Sequence, residues 1–354
     1  MRIVVVNTHM SDHIGGSQLQ CDLIAEGLYS KGHEIIYLAI DKKSNYKTSY
    51  KTVGVERSSE QIANKIIELN PDIVYWRFNK RYIKKTFKKI SSHGIKIIFA
   101  SSNIKDLKAW SEPFPLKKTF SSLRKYFKGN LLSTYNYTGF KYVHGITVNN
   151  EEQLNLSPSK KTAYIPNAIS TERRSFTWGK PYVLWVANIK KRKRPDLYVK
   201  LAEELKEMDV DFLMIGGMAD RKFQWIADKD QTPPNLHYLG EVSFEEVNGA
   251  IAGSLLLAAT STPEGFSNNI IQSWLQEKPV VAYEFDPGGL IEQNKLGFVA
   301  HSDFRIFKRQ IVELISNEKK RTKIGAKAKN FASEYFSTEY SVDTLEKFML
   351  ELVE

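Results

Sequence analysis

The chain has 354 residues, of which 42% are hydrophobic, so it contains enough apolar material for two packed cores. No apolar run reaches the roughly 18 residues that a membrane-spanning helix needs. The single cysteine, Cys21, excludes an internal disulfide and a cysteine-cluster metal site. These features predict a cytoplasmic protein of two domains.

The net charge of +11 comes from the first half of the chain. Residues 1–168 contain 26 Lys and Arg against 13 Asp and Glu, whereas residues 169–354 contain 25 against 27. Residues 77–128 alone contain 15 basic and 2 acidic residues. Such a local excess indicates an anionic partner, either a membrane surface or a nucleic acid.

Short apolar runs alternate with helical patterns along the chain. In the first half the runs are RIVVVN, EIIYLAI, DIVYWR, KIIFASS, GITVNN and TAYIPN. In the second half they are YVLWVAN, DFLMIGG, LHYLG, SLLLAATS and PVVAYE. Few polar residues interrupt them, which is typical of parallel strands covered on both faces. The alternation predicts an α/β fold with two doubly wound, parallel-sheet, Rossmann-like domains.

The strand–helix pattern restarts after a polar, turn-rich stretch, PNAISTERRSFTWGKP. We therefore predict an N-terminal domain over residues 1–170, a C-terminal domain over residues 171–336 and a last helix over residues 337–354. Two such domains are expected to face each other across a cleft at the carboxyl ends of their strands, where doubly wound sheets bind ligands. The informative polar residues are therefore those directly after strands.

Two loops of the first half meet this criterion. Gly15, Gly16 and Ser17 lie between the first strand and its helix, where backbone amides and a helix N-terminus suit an anion. A tight strand-to-helix turn explains the glycines equally well. Ser102 and Asn103 follow the fourth predicted strand.

In the second half, Asn188 follows a strand and precedes five consecutive basic residues, among them Lys193. Pro195 then opens a helix. Basic side chains beside a helix start suit a diphosphate. A solvated charge run is the simpler explanation.

The stretch TPEGFSNNIIQSW follows the buried run SLLLAATS. Glu264 lies at the expected turn, Gly265 permits close backbone approach, and Ser267 or Asn268 is able to cap the next helix. Gln272 lies about two helical turns beyond Glu264. A carboxylate and an amide so placed are suited to binding two hydroxyl-bearing rings of one ligand, whereas a helix cap with ordinary packing needs no ligand.

Taken together, these motifs resemble the retaining glycosyltransferases of family 4, which have the GT-B fold. In order, the motifs are GGS, PNAI, VANIKKRKRPDL, LMIGG, LHYLGEVSFEEV and PEGFSNNIIQSW…KPVVAYEFDPGGL. The resemblance covers nearly the whole chain, and the C-terminal half carries most of it. It implies a UDP- or GDP-linked sugar donor bound mainly by the C-terminal domain and an acceptor bound mainly by the N-terminal one. It implies no metal and no other cofactor, and the seven histidines show no ligand spacing.

The resemblance also implies roles for individual residues. Lys193 matches the lysine that contacts the donor diphosphate, and Glu264 matches the acid that binds donor sugar hydroxyls. Both are expected to be catalytic. The implied donor side comprises Asn188, Lys193, Glu264, Gly265, Phe266, Ser267, Asn268 and Gln272. The implied acceptor side comprises Gly15, Gly16, Ser17, Ser102 and Asn103.

Three positions depart from the family pattern. Gln272 stands where a second acid usually binds the ribose, so a carbonyl oxygen replaces a charged acceptor. Asn188 stands where an arginine often assists Lys193. The sequence ASSNIKD lacks the histidine that often follows the fourth N-terminal strand. These departures leave the donor open and allow a protein that binds without catalysis.

The sequence thus predicts a retaining, metal-independent glycosyltransferase that acts on a lipid-linked or polysaccharide acceptor. One alternative is a sugar-nucleotide epimerase of similar fold. The other is a non-catalytic protein that binds nucleic acid or another anion through residues 77–128.

The same basic segment is predicted to contain two helices whose apolar faces pack on the domain's own sheet. These faces consist of Ile83, Phe87 and Ile90 in the first helix and Leu116, Phe120, Leu123 and Phe127 in the second. Packed aromatics would leave no base-stacking surface, so no nucleic acid is expected. The lysines instead predict peripheral association with the anionic inner face of the membrane.

Overall fold

A computed structural model describes the chain except for residues 13–14, 44, 112–113, 115–118, 160 and 263–266 and the side chains of residues 151–152. The described part divides into two compact units. Met1–Ala168 and Thr338–Glu354 form the N-terminal unit, and Ile169–Ser337 form the C-terminal unit.

The N-terminal unit contains a seven-stranded sheet in the order β3-β2-β1-β4-β5-β6-β7. Its strands are β1 (Arg2–Asn7), β2 (Glu34–Ile40), β3 (Lys51–Val55), β4 (Ile73–Trp76), β5 (Lys96–Ala100), β6 (Gly145–Val148) and β7 (Thr162–Tyr164), and neighbouring strands are parallel. Its helices up to β7 are α1 (Gly16–Ser30), α2 (Ser59–Leu69), α3 (Ile83–Ser91), α4 (Phe120–Tyr137) and α5 (Glu151–Leu156). The strand order reverses between β1 and β4, which creates a crevice at their carboxyl ends.

The C-terminal unit contains a six-stranded parallel sheet in the order β10-β9-β8-β11-β12-β13. Its strands are β8 (Tyr182–Val186), β9 (Asp211–Ile215), β10 (Leu236–Tyr238), β11 (Leu256–Ala259), β12 (Val280–Ala282) and β13 (Gly297–Val299). Its helices are α6 (Pro195–Glu204), α7 (Phe244–Gly253), α8 (Asn268–Leu275), α9 (Leu290–Gln293), α10 (Phe304–Ser316) and α11 (Glu318–Phe336). The order reverses between β8 and β11, as it does in the other sheet.

The last helix, α12 (Thr338–Val353), packs in the N-terminal unit. It buries one apolar face that includes Leu345, Met349 and Leu352. A side chain at Gly27 of α1 would bring its Cβ to 2.4 Å from a methyl carbon of Val342, so the glycine permits the close approach of α1 and α12. The C-terminal residues therefore complete the core of the unit in which the chain begins.

The predicted fold class is confirmed, because two parallel Rossmann-like sheets are present and every predicted apolar run contains a strand. The pattern missed two strands, β3 and β13. Both lie at a sheet edge, where one side of the strand has no neighbour and a continuous apolar run is not needed.

The prediction for the two basic helices is half right. In α3, Ile83, Phe87 and Ile90 are completely buried as expected. In α4 the expectation is wrong, because Phe120 is 84% exposed and Phe127 is 51% exposed. The fully buried residues of α4 are Asn130 and Asn136, so two polar side chains lie on the inner side where the pattern predicted Phe120 and Phe127. The predicted core residue Leu116 lies outside the described residues.

Candidate functional site

The predicted donor-side residues that the structure describes come after two adjacent strands of the C-terminal unit, either in the turn after one strand or in the helix after the other. β8 and β11 are neighbours in the sheet, and each is followed by polar residues at its carboxyl end. After β8 come Asn188 and the basic turn, and after β11 come Thr260 and Thr262. Because these strands also flank the reversal of strand order, this edge is where such a sheet binds a ligand.

The basic turn is held by side chains from the segment after β11. Lys191–Lys193 form one turn of 3-10 helix, and Pro195 begins α6. The Thr260 Oγ1 donates a hydrogen bond to the carbonyl oxygen of Lys193 at 2.6 Å, and the Thr262 amide donates to the carbonyl oxygen of Arg192 at 2.9 Å. The backbone that carries Lys193 is therefore fixed against the neighbouring strand end.

The five basic side chains of this stretch differ in their surroundings. Arg194 donates from Nε to Asp196 at 3.3 Å, and its guanidinium lies 5.9 Å from the ring centre of Tyr283. Lys190 and Lys191 are exposed, and Lys193 is half-buried. A half-buried ammonium has less water around it, so it interacts more strongly with a nearby anion than its exposed neighbours do.

Asn188 is exposed and braces the next strand end. Its Oδ1 accepts a hydrogen bond from the Gly217 amide at 3.3 Å. The preceding Gly216 has φ +144, and a Cβ there would lie 1.9 Å from the carbonyl oxygen of Ala187. Gly216 of the LMIGG motif is therefore required for the end of β9 to pack against the end of β8.

The start of α8 is fixed to β8 by a residue that the sequence analysis did not select. Asn269 donates a hydrogen bond from Nδ2 to the carbonyl oxygen of Val186. Ser267 occupies the predicted N-cap position, but its side chain makes no capping hydrogen bond. Asn268 is the first residue of the helix. The entry to α8 is thus held by a tertiary contact and not by the cap that the sequence predicted.

Gln272 lies on α8 and is almost completely buried. Its Nε2 donates to Asn248 Oδ1 at 3.0 Å, and Asn248 Nδ2 donates to the carbonyl oxygens of Ser170 and Glu172 at 3.0 Å and 2.7 Å. Carbonyl oxygens only accept, so the amide orientation of Asn248 is determined, and it determines that of Gln272 in turn. The amide nitrogen of Gln272 is used inside the unit, and its Oε1 is the atom suited to accept from a ligand.

Glu264, Gly265 and Phe266 lie outside the described residues. In the sequence they fall between Thr262, which is bonded to the basic turn, and Ser267, which precedes α8. Their implied roles stay predictions.

The predicted acceptor-side residues lie at the carboxyl edge of the N-terminal sheet. Gly15 caps α1 in an extended conformation, and Gly16 is the first residue of that helix. Ser17 Oγ accepts from Asn7 Nδ2 at 3.1 Å and lies 3.4 Å from Ser102 Oγ.

Asn103 has a local structural role. Its side chain accepts a hydrogen bond from the Lys105 amide, while the Asp106 carboxylate accepts from the amides of Ser102 and Asn103. These contacts form a capping box that shapes the loop after β5. Among the described residues, Asp, Glu, His and Cys side chains form no group that could hold a metal ion.

Sequence reasoning missed Thr260, Thr262 and Asn269, which position the basic turn and α8, and it also missed Arg77. Arg77 directly follows β4 in the apolar run DIVYWR. Thr260 and Arg77 could have been selected from the sequence, because each is a polar residue at the carboxyl end of a buried apolar run. Asn269 gave no such signal, because its contact depends on where α8 lies.

A family model described as "Glycosyl transferases group 1" matches residues 169–331. The matched range lies within the C-terminal unit and includes all of the donor-side residues described above. The match and the fold together support a glycosyl transferases group 1 domain of GT-B type in this unit.

Two curated relatives show modest identity. The chain is 26% identical over 233 residues to an uncharacterized glycosyltransferase of Methanocaldococcus jannaschii, covering 65% of this chain and 65% of the relative. It is 27% identical over 164 residues to the poly(ribitol-phosphate) alpha-N-acetylglucosaminyltransferase of Staphylococcus aureus, covering 44% of this chain and 32% of the relative. The chain thus spans less than two thirds of the length of either relative.

A solved structure of the Anabaena protein HepE in complex with UDP is similar over the whole chain. Its TM-score is 0.72 at 13% identity, and the alignment covers 99% of this chain and 100% of that one. At this identity the likeness establishes the shared GT-B fold.

Proposed function

We propose that the protein is a retaining, metal-independent glycosyltransferase that transfers a sugar from a UDP- or GDP-linked donor to a lipid-linked or polysaccharide acceptor. The observation that carries this proposal is the basic turn, which Thr260 and Thr262 hold at the β8–β11 strand ends inside the range of the family match. HepE was solved in complex with UDP, and the name of the S. aureus relative gives poly(ribitol-phosphate), a polyol-phosphate polymer, as its acceptor. Both agree with this donor and acceptor class.

In the proposed reaction, Lys193 stabilises the negative charge that develops on the leaving diphosphate. The bond between the sugar C1 and the diphosphate oxygen breaks, and the acceptor oxygen forms a bond to C1 on the same face. The acceptor proton passes to the leaving phosphate. Gln272 accepts a hydrogen bond from a ribose hydroxyl through its Oε1.

A nucleotide-sugar panel tests this function directly. Purified protein is expected to melt at a higher temperature with its donor, because a ligand at 100 times its dissociation constant adds about 2.7 kcal/mol to the free energy of unfolding. The same donor should release nucleoside diphosphate only when an acceptor is present. Binding without release across a panel of acceptors would favour the binding-only protein, and isomerisation of the sugar nucleotide would favour the epimerase.

Glu264→Gln is expected to lower transfer by about 10-fold or more, because the charge-assisted hydrogen bond to a donor hydroxyl is lost. Affinity for the free nucleoside diphosphate should stay near the wild-type value, since that ligand lacks the sugar. Steady-state kinetics and nucleotide titration measure the two effects separately. An equal loss of transfer, nucleotide binding and melting temperature would assign Glu264 a folding role instead.

We further propose that the N-terminal unit meets an anionic membrane surface through α3 and α4. Phe120, Phe127 and Leu131 share one side of α4 at helical spacing, and Leu131 is 65% exposed. The exposed side chains of Arg124 and Lys128 lie along the same helix. Exposed apolar residues flanked by cations suit the interface of an anionic bilayer. Within the described helices, none is both long and apolar enough to cross a membrane.

The lysines of α3 extend this surface. Lys85, Lys88 and Lys89 are exposed, and Lys84 Nζ lies 5.6 Å from the ring centre of Tyr135 on α4. Lys84 therefore links the basic side of α3 to the apolar side of α4. Each lysine near an anionic bilayer contributes about 1 kcal/mol to binding.

Replacing the four α3 lysines with glutamine is expected to weaken sedimentation with phosphatidylserine-containing vesicles, and raised salt should do the same. The substituted residues are Lys84, Lys85, Lys88 and Lys89. Phe120→Ser with Phe127→Ser should weaken binding in a way that salt does not reproduce. Activity on a soluble acceptor should be unchanged in both variants.

A matched control removes the same number of charges from α11 in the C-terminal unit. Its substituted residues are Lys319, Lys323, Lys327 and Lys329, all exposed. Equal weakening by both sets would show that net charge alone drives adsorption. Because Phe120 and Phe127 are exposed, nucleic-acid bases could also stack on this surface. Tight binding to DNA without a preference for anionic vesicles would therefore support the nucleic-acid alternative.

A further inference from the structure

We propose that Arg77 binds an anionic group, a phosphate or a carboxylate, on the acceptor substrate. The anion site itself follows from the contacts of the N-terminal unit. Its assignment to the acceptor rests on the proposed glycosyltransferase function.

Arg77 lies at the reversal of strand order in the N-terminal sheet. It directly follows β4, and its backbone amide donates to the carbonyl oxygen of Val6 on β1 at 3.2 Å. Strands proceed from β1 toward β3 on one side and from β4 toward β7 on the other. Open α/β sheets bind their ligands in the crevice at such a reversal, outside the carboxyl ends of the strands. Arg77 is therefore the cation built into that position.

The guanidinium of Arg77 is incompletely satisfied. One Nη donates to the Tyr75 hydroxyl at 3.4 Å, and the other donates to Asn167 Oδ1 at 3.2 Å. Its Nε is buried and has no hydrogen-bond partner. Among the described residues, no carboxylate forms an ion pair with Arg77. A buried N–H without an acceptor is costly, so the Nε of Arg77 is a donor that an added anion would satisfy.

Asp106 is an acid whose charge acts on Arg77, but it does not supply that partner. Its carboxylate accepts from the amides of Ser102 and Asn103 and closes the loop after β5. Burial raises the pKa of Asp106, and the amides that it accepts from and the charges of Lys80 and Arg77 oppose that rise. No hydrogen bond or ion pair joins its carboxylate to Arg77, so the guanidinium keeps N–H groups for an external anion.

The same sheet edge offers neutral groups for the rest of such a ligand. Asn7 ends β1, and its Nδ2 donates to Ser17 Oγ, which lies 3.4 Å from Ser102 Oγ after β5. Asn149 after β6 donates from Nδ2 to the Asn167 oxygen that also accepts from Arg77. Neighbouring strands are about 4.8 Å apart, so the ends of β1, β4 and β5 present these groups side by side. Hydroxyls beside one guanidinium suit a sugar or polyol that carries a phosphate or carboxylate.

Arginine is the residue type that this recognition favours. Its planar guanidinium binds two oxygens of one phosphate or carboxylate, whereas a lysine offers a single charged point. The contacts to Tyr75 and Asn167 fix the plane of the guanidinium. A purely structural role would account for the contacts to Tyr75 and Asn167. It would not account for the buried Nε, which has no hydrogen-bond acceptor.

Inorganic phosphate is the probe for the test, titrated at constant ionic strength and followed by calorimetry and by melting temperature. Arg77→Met should lower phosphate affinity by about 10-fold or more, because a charge-assisted hydrogen-bond pair is lost. Arg77→Lys keeps the charge and should retain part of the affinity. Arg81→Met is the matched control, since Arg81 is exposed on the same segment and should bind phosphate as the wild type does.

Repeating the titration with saturating nucleoside diphosphate shows whether the anion that Arg77 binds belongs to the acceptor or to the donor. Phosphate that still binds and still depends on Arg77 supports an acceptor site. Competition between the two ligands, with weaker nucleotide binding in Arg77→Met, would assign Arg77 to the donor diphosphate and overturn the proposal.

Wild-type affinity in Arg77→Met and Arg77→Lys, or no phosphate binding by the wild type, would show that Arg77 is structural. If Arg77→Met does not fold, Arg77→Lys tests the proposal by itself. The proposal then requires that Arg77→Lys binds phosphate more weakly than the wild type while its melting temperature is unchanged. Arg77-dependent phosphate binding by a protein that binds no nucleotide would overturn the glycosyltransferase proposal while the anion site remained.

Discussion

Lys193→Ala is expected to lower kcat for sugar transfer by about 100-fold or more, with little change in melting temperature. The turn that carries Lys193 is fixed through its carbonyl oxygens by Thr260 and Thr262, so the backbone that supports the ammonium is held in place. A preorganised charge acts mainly on the diphosphate as it leaves, and its loss therefore lowers kcat more than it raises KM.

Lys200→Ala is the matched control for this experiment. Lys200 is exposed on α6, the helix that follows the basic turn, and its removal leaves the turn intact. Transfer by Lys193→Ala within a few-fold of the Lys200→Ala value would show that the basic turn is only a solvated surface. A large fall in melting temperature would instead assign Lys193 to packing.

Apolar runs were sufficient to predict the central strands because parallel strands covered on both faces must be apolar on both faces. β1 and β9 illustrate this, since Val4, Val5, Leu213 and Met214 point to opposite sides and are all completely buried. β3 lies at an edge, has no fully buried residue and contains Lys51. An edge strand such as β3 forms by pairing with a neighbouring strand, and its own residues carry no continuous apolar pattern that would predict it.

Helix α4 shows the limit of helical periodicity. Phe120 and Phe127 have the spacing of a core face, and the sequence does not state which side of the helix meets the sheet. Asn130 and Asn136 occupy the inner side, and Asn136 donates to the carbonyl oxygen of Leu132 within the same helix. The sequence shows the hydrophobic pattern of α4, but it does not show whether that face of the helix packs on the sheet or faces solvent.

The candidate site was predictable as far as it follows from strand ends. Lys193 and Asn188 could be placed near a strand end because polar residues after a buried strand stand out in the sequence. The bond from Asn269 to Val186 joins residues 83 positions apart, and the network from Gln272 reaches residues of the segment before β8. Such contacts depend on the three-dimensional arrangement of α7 and α8, which residue spacing does not specify.

The buried network around Gln272 leads to a prediction that the family resemblance alone would reverse. Family members usually carry an acid at this position, so Gln272→Glu would be expected to improve nucleotide binding. In this chain Asn248 Oδ1 faces position 272 and is unable to turn away, because Asn248 Nδ2 serves the carbonyl oxygens of Ser170 and Glu172. A carboxylate at position 272 would place one of its oxygens against the Asn248 Oδ1 acceptor, at a position that is almost completely buried.

We therefore expect Gln272→Glu to reduce the free energy of unfolding of the C-terminal unit by about 2 kcal/mol or more at pH 7.5. Burial and the opposing oxygen raise the pKa of the introduced carboxyl above its unfolded value of about 4.3. The unfolded chain then loses this proton at a lower pH than the folded protein does, so the deficit is small near pH 4.5 and grows as the pH rises through the folded pKa. Denaturation followed by tryptophan fluorescence, to which the completely buried Trp274 on the same helix contributes, measures this dependence. Gln224→Glu, on the exposed surface of the same unit, adds the same charge and should show no such trend.

A deficit that does not change between pH 5 and pH 8 would mean that the introduced carboxyl accepts a hydrogen bond from a donor. The amide orientations assigned to Asn248 and Gln272 would then be wrong.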